Sequence, residues 1–435
     1  FAAVTDGYDV QSNYIKDTPV VEHVLEGESN SFALYDFMVP QATKKCLSHF
    51  LVRQLEGRSG EQEVKFNLDA RPHYAKKKLI FNKKTENKYR AVLDGHTVFL
   101  HLPRGGRLTV ADKGYRITIG LNQGEVKELV LEYAHGSKPL YRSDGLLTKT
   151  KSLWAEWVAR GKYFDFCRDE LVRSAITLKL MQFYPTGAII AAPTTSLPEW
   201  KGGQRNWDYR YVWVRDATFT LYALHILGHT EEAQKFFEFI ERVAKEQKEA
   251  SFELHLFYTI WGERVPREKP LNHFAGYEGS RPVRVGNDAT DQFQLDIYGS
   301  LIDAYYFMST RDILPSRITK KIIVDLVEKI IRLWEAPDSG IWEVRTGPNH
   351  FTYSKAMAWV GLNRALRIGA ELGISEETKL RWQRVEYEVR TWTWYYCFDE
   401  ELQSFKQHPE TKQQDATNFL IILLQFMDKY KEETK

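Results

Sequence analysis

Glu343 stands between Trp342 and Val344 in the run GIWEVR. A carboxyl beside a large ring in a partly dry loop is poorly hydrated when charged. Its pKa then rises, and it can serve as a proton donor near neutral pH. A lone Trp–Glu pair is a weak signal, and by itself a solvated surface glutamate is the plainer reading. A denser cluster lies upstream between Gln204 and Asp216. Arg205, Asp208, Arg210, Arg215 and Asp216 alternate there with Trp207, Tyr209, Tyr211 and Trp213. The four rings fall at every second position, so an extended backbone would point them to one side.

Two readings of that cluster stand open. Rings can stack on sugar faces, and a rigid Arg215–Asp216 pair can hydrogen-bond a ring of hydroxyls. The same residues could equally form a structural ion-pair cluster packed under aromatics. A third stretch, from Tyr277 to Gly299, offers Arg281, Arg284 and Asn287 ahead of a helix, where loop capping and salt bridges are the simpler use. His225 and His229 have the spacing of a helical metal pair, but Gly228 between them reads as a helix stop. The chain shows no HExxH, no phosphate-cradling glycine loop, no GxGxxG after a strand and no GxSxG elbow. Neither a metal nor a cofactor is expected.

Composition narrows the partner. A net charge of +2 over 435 residues argues for neither nucleic acid nor an anionic membrane, and suits a neutral ligand. The aromatic content of 14% is high, which a large core or a carbohydrate groove could each explain. Cys46, Cys167 and Cys397 are few, odd in number and far apart. They do not read as a disulfide framework, so a reducing compartment such as the cytoplasm is favoured. The longest tight apolar run, FLIILLQFM, is far short of the ~20 residues of a membrane span. The first residue is not Met, so a secretion signal ahead of it stays open. Nothing in the sequence sets the oligomeric state.

The elements that must carry these residues change character along the chain. Up to about residue 140 the pattern alternates. Val64, Phe66 and Leu68 share one face of EVKFNLDA, and Tyr115, Ile117 and Ile119 share one face of GYRITIGL. VFLHLP and KELVLEY are further strand candidates, and together they suggest an antiparallel sandwich. From about Leu146 the period becomes helical. Helices are expected over 215–227, 230–247, 288–309, 316–335, 352–372, 375–396 and 413–430. The candidate residues fall in the long loops between them, 184–214, 262–287 and 336–351, where a helical scaffold usually places a site.

Three long stretches carry a resemblance. TGAIIAAPTTSLPEWKGGQRNWDYRYVWVRDATFTLYAL, GYEGSRPVRVGNDATDQFQLDIYG and SGIWEVRTGPNHFTYSKAMAWVGLNRAL resemble the glucoamylase family, glycoside hydrolase family 15. The likeness is to its prokaryotic and archaeal-type branch of glucoamylases and trehalases. It implies a β + α multidomain chain: an N-terminal antiparallel β-sandwich over 1–143, then an (α/α)6 barrel over 144–435. It implies hydrolysis of α-glucosidic bonds with inversion, on starch-type glucans or on trehalose. By motif match Glu343 looks like the general acid. Arg215 and Asp216 look like the pair that binds the non-reducing glucose, and Tyr209, Trp213 and Trp342 look like rings around it. The family's late glutamate base has no counterpart here. Glu400, Glu401 and Glu410 match non-catalytic sequence. The chain thus resembles a member lacking the extreme N-terminus and the C-terminal part of the barrel. A sugar-binding or regulatory protein without turnover, on the same fold, is the alternative.

Overall fold

The computed structural model describes residues 2–40, 48–134, 138–142, 145–247, 251–310 and 316–427. Cys46 lies outside them. The chain divides into two compact units, Phe1–Thr177 and Leu178–Lys435.

The first unit is built from twelve strands: β1 (Ala2–Ala3), β2 (Asp9–Tyr14), β3 (Val21–Glu26), β4 (Ser31–Met38), β5 (His49–Ser59), β6 (Glu61–Leu68), β7 (Asn82–Thr85), β8 (Lys88–Leu93), β9 (His96–His101), β10 (Arg107–Val110), β11 (Tyr115–Asn122) and β12 (Val126–Ala134). They form an eight-stranded sheet in the order β2-β3-β4-β5-β12-β9-β8-β7 and a four-stranded sheet in the order β1-β6-β11-β10. β6 alternates strictly, with Gln62, Val64, Phe66 and Leu68 buried. Its register sets Phe66 opposite Ile117 and Val64 opposite Ile119. These side chains meet Leu25, Leu34, Leu55, Leu100 and Leu129 of the larger sheet, which makes the expected sandwich. Each such burial contributes about 1.5–3 kcal/mol. On the other face of the larger sheet, Ala33, Tyr35, Phe37, Val52 and Val130 form a second core. β4 is therefore buried on both sides and reads as the continuous run FALYDF.

Two helices follow, α1 (Leu146–Ala159) and α2 (Arg168–Leu180), joined through Trp154, Val158, Val172 and Ile176. The compact first unit takes in α1 and most of α2.

The second unit is helical: α3 (Val214–Ile226), α4 (Glu231–Gln247), α5 (Asp296–Ser309), α6 (Arg317–Leu333), α7 (Thr352–Arg367), α8 (Gly369–Leu372), α9 (Glu376–Cys397) and α10 (Asn418–Leu423). α5 and α7 are buried nearly all round. α4, α6 and α9 each bury one stripe, as Phe236, Ile240 and Val243 do on α4. The inner pair touches backbone to backbone. A Cβ on Gly299 of α5 would lie 2.0 Å from the Met357 carbonyl oxygen of α7. Two helices differ from expectation. The 288–309 pattern opens as a 3-10 turn at Asp288–Asp291, where Asn287 accepts from the Ala289 N–H, and α5 starts only at Asp296. The 413–430 pattern yields six helical residues, because Asp415 binds the Thr417 N–H and hydroxyl and holds the preceding residues in a turn. No described helix is long and apolar enough to cross a membrane.

Candidate active site

The chain enters α3 through a short pairing of Val212–Trp213 with Phe257–Tyr258. That pairing lays the Trp213 ring flat on Phe257, with centroids 4.2 Å apart. Trp213 is almost fully buried, and only its indole N–H is committed outward: it donates to Glu343 Oε1 at 2.7 Å. Arg215, one turn into α3, donates to the same oxygen at 3.3 Å. Its other donors go to Gln294 Oε1 at 2.7 Å, Asp296 Oδ2 at 2.9 Å and the Ile341 carbonyl at 3.2 Å. Arg215 thus ties α3 to the start of α5 and to the loop that carries Glu343.

That loop is closed at its neck. Asp338 and Asn349 exchange both backbone hydrogen bonds, at 2.9 and 2.8 Å. Asp338 Oδ2 accepts from the Leu295 N–H and the Ser354 hydroxyl. Beneath it the buried Lys355 ammonium binds the Trp334 and Ala336 carbonyls. Gln292 donates to the Glu343 carbonyl at 3.3 Å. Glu343 itself adopts φ 53°, a left-handed backbone that costs a non-glycine residue about 1–2 kcal/mol. Such strain persists where the surroundings dictate it, and it is concentrated at functional positions.

Glu343 is no surface glutamate: its side chain keeps 23% exposure, enough for one edge to meet solvent. Burial pushes its pKa up, while the Arg215 charge, the Trp213 N–H and Gln294 pull it back and Asp216 pushes it further up. The ring that touches its carboxylate is Trp213, not its neighbour in sequence. Trp342 is 56% exposed and its N–H goes to Asp415 at 2.7 Å. Asp216 keeps open contact with solvent although protein crowds it closely, which places it on the wall of a recess; burial raises its pKa too. Tyr209 packs at 5.6 Å from Trp213, and burial and Glu343 push its phenol up to about 12.

The opening cluster divides between the two readings. Tyr209, Trp213, Arg215 and Asp216 gather around Glu343. Trp207 does not join them: it lies between the guanidinium groups of Arg284 and Arg345, at 4.7 and 4.1 Å. Asp208 is fully buried and grips Arg210 with both oxygens, a structural pair. Arg284 binds Glu268 and the carbonyls of Gln204 and Asn206, so the third stretch serves loop architecture, as its simpler reading holds. No group of His, Cys, Asp and Glu able to hold a metal occurs among the described residues.

Sequence reasoning passed over Gln294, Asp296 and Asp338. Asp296 is fully buried and Gln294 nearly so. Asp338, 1% exposed, has its pKa pushed up to about 6 by burial and by the Asp296 charge. The available signal was polarity inside an apolar helix start, FQLDIYG, where a buried carboxylate needs a cationic partner.

The Glycosyl hydrolases family 15 model matches residues 166–434. The chain belongs to that family. It is 33% identical over 389 residues to a trehalase of Mycobacterium tuberculosis, across 87% of this chain and 57% of the relative. It is 38% identical over 301 residues to a trehalase of Mycolicibacterium smegmatis, across 68% and 45%. A trehalase of Thermoplasma acidophilum is 35% identical over 288 residues, across 66% and 48%. The chain thus spans about half the length of these relatives. In fold it is similar to a bacterial glucoamylase crystallised with acarbose, with TM-score 0.65 and 14% identity, over 94% of this chain and 63% of that one.

Proposed function

We propose that the recess around Glu343 is an α-glucoside site and that Glu343 is its proton donor. One observation carries this reading. A strained, partly accessible carboxyl has one oxygen held by two donors, Trp213 and Arg215, which leaves Oε2 to carry a proton toward a leaving oxygen. A general acid needs such a fixed, poorly hydrated carboxyl. Asp216 on the recess wall is the group that reaches sugar hydroxyls, with Tyr209, Trp213 and Trp342 as the rings beside it. Arg215 binds glucose, if at all, only while tied to four protein acceptors; its main work is on Glu343. Trehalose is the favoured substrate, since the relatives named above are trehalases; maltooligosaccharides are the second choice.

The reaction proposed is inverting. Glu343 protonates the glycosidic oxygen while a second carboxylate, about 6.5–9.5 Å away, activates water on the opposite face. Asp296 is fully buried and committed to Arg215, and Asp415 is held ionised by Thr417, Gln407 and Trp342. Neither is free to activate water, so the base is proposed to lie outside these groups. The helical unit is proposed as part of an (α/α)6 barrel, with 1–143 as the β-domain. A binding protein without turnover is the second reading, favoured by the lack of an open second carboxylate next to Glu343. Trehalose titrated into the chain and into Glu343→Gln, with glucose release followed in parallel, separates the two. Binding with Glu343-dependent release supports the enzyme. Binding without release supports the second reading, and absence of binding refutes both.

A further inference from the structure

Arg215 shares its guanidinium between two carboxylates of different kinds. On Nη2 it meets Glu343, which is partly accessible. On Nη1 it meets Asp296, which has no solvent contact and whose Oδ1 finds no hydrogen-bond partner. A fully buried anion with an unpaired oxygen is a costly thing to keep beside a catalytic group. Its placement has a chemical consequence. Positive charge next to a carboxyl favours loss of its proton, and a second anion on the same cation cancels part of that effect. An acid held by arginine alone would give up its proton too early to serve as a donor.

We propose that Asp296 is a positioning residue for Glu343: by holding Arg215 from behind, it fixes the guanidinium and neutralises enough of its charge for Glu343 to keep a proton. Gln294 completes the grip, accepting from Arg215 Nη1 at 2.7 Å while donating to Gln292 at 3.0 Å. Gln292 in turn holds the Glu343 carbonyl. The start of α5 therefore reaches both the charge and the backbone of the acid. The inference rests on the reading of Glu343 as proton donor.

The other charged groups around Glu343 are few. From α3 come Arg215 and Asp216, and from the segment before it Tyr209. On its own loop Arg345 is turned away and paired with Glu268 at 3.0 Å. Asp338 acts one step removed, through Asp296. None of these replaces the charge that Asp296 sets against Arg215.

Trp213 supplies a readout that needs no turnover. Its indole N–H donates to Glu343 Oε1, so its nitrogen resonance in the ¹⁵N-Trp-labelled chain should follow the protonation of Glu343. The resonance is assigned by its loss in Trp213→Phe. The expected result is a single titration step in the native chain, absent in Glu343→Gln. In Asp296→Asn that step should move down by about one pH unit, as expected when an uncompensated cation faces a carboxyl. If Asp296→Asn does not fold, Asp296→Ser, which leaves room for a water, must shift the step the same way. A midpoint unmoved or raised overturns the proposal, as does a Trp213 resonance that never senses Glu343. A downward shift in a chain that neither binds nor cleaves α-glucosides would uphold the positioning role and refute the function proposed above.

Discussion

Replacing Arg215 by methionine should unfold much of what the site depends on. The side chain is 6% exposed and Asp296 is wholly buried. Removing the guanidinium leaves Asp296 with neither oxygen paired to a cation, and strips donors from Gln294 Oε1 and the Ile341 carbonyl. Breaking a buried ion pair from one side costs about 3–5 kcal/mol, because the remaining charge cannot reach water. That is a large share of the ~5–15 kcal/mol that holds a domain together. For a unit of this size, ~2–4 °C per kcal/mol gives a fall in Tm of about 6–20 °C. The decisive comparison adds Asp296→Asn to the methionine variant. With the stranded charge gone, at least about 2 kcal/mol should return, a positive coupling in a double-mutant cycle. Guanidinium unfolding at pH 7, followed by tryptophan fluorescence, measures both numbers. A loss below about 1 kcal/mol for Arg215→Met, with no recovery in the double variant, would refute the reasoning. Arg215 would then serve sugar and not the protein.

Other outcomes follow from the same geometry. Glu343→Gln keeps the shape but removes the acidic proton, so turnover in an active form of the protein should fall by ~10²–10⁴-fold with sugar binding little changed; steady-state kinetics beside calorimetric titration checks it. Asp338 has its folded pKa raised to about 6 from 3.8. Its contribution is therefore complete below pH 3.8 and lost as pH rises through 6, a decline on the order of 3 kcal/mol. Asp338→Asn should flatten the pH dependence of unfolding across that window, and an unchanged slope would show that another group titrates there. Gly299→Ala places a methyl 2.0 Å from the Met357 carbonyl oxygen, so α5 and α7 must separate. The expected cost is about 1–3 kcal/mol or more, and a Tm equal to the parent would contradict the close approach.

The β-domain was legible because its strands obey a period of two on surfaces that are buried on one side. β6 and β11 show this in Val64, Phe66, Ile117 and Ile119. Helices α3 to α9 were legible to within a few residues where an apolar stripe runs to a clear cap, as at Ser316 and Ser375. The residues before α5 misled, since Asp288–Asp291 makes a helix-like turn while Gln292 and Gln294 turn inward to bind the site. Of the candidate residues, Glu343, Trp213, Arg215, Asp216 and Tyr209 do meet. Their contacts were invisible in one dimension, because Trp213 and Glu343 lie 130 residues apart. The same limit hid Asp296, whose importance comes only from the arginine it faces. The alternating rings were over-read as one face: the backbone between Trp207 and Trp213 is not a continuous strand, so Trp207 turns to Arg284 and Arg345 instead.

The most direct test is to follow trehalose and maltose by ¹H NMR with two proteins. One is the 435-residue chain, and the other is the chain extended to the length of its trehalase relatives. Glucose should appear first as the β anomer with the extended protein, and Glu343→Gln should slow it by at least ~100-fold. The 435-residue chain should bind the sugar with little or no release. Release of α-glucose first, or turnover indifferent to Glu343→Gln, would contradict the assignment of Glu343 as the acid of an inverting α-glucoside hydrolase.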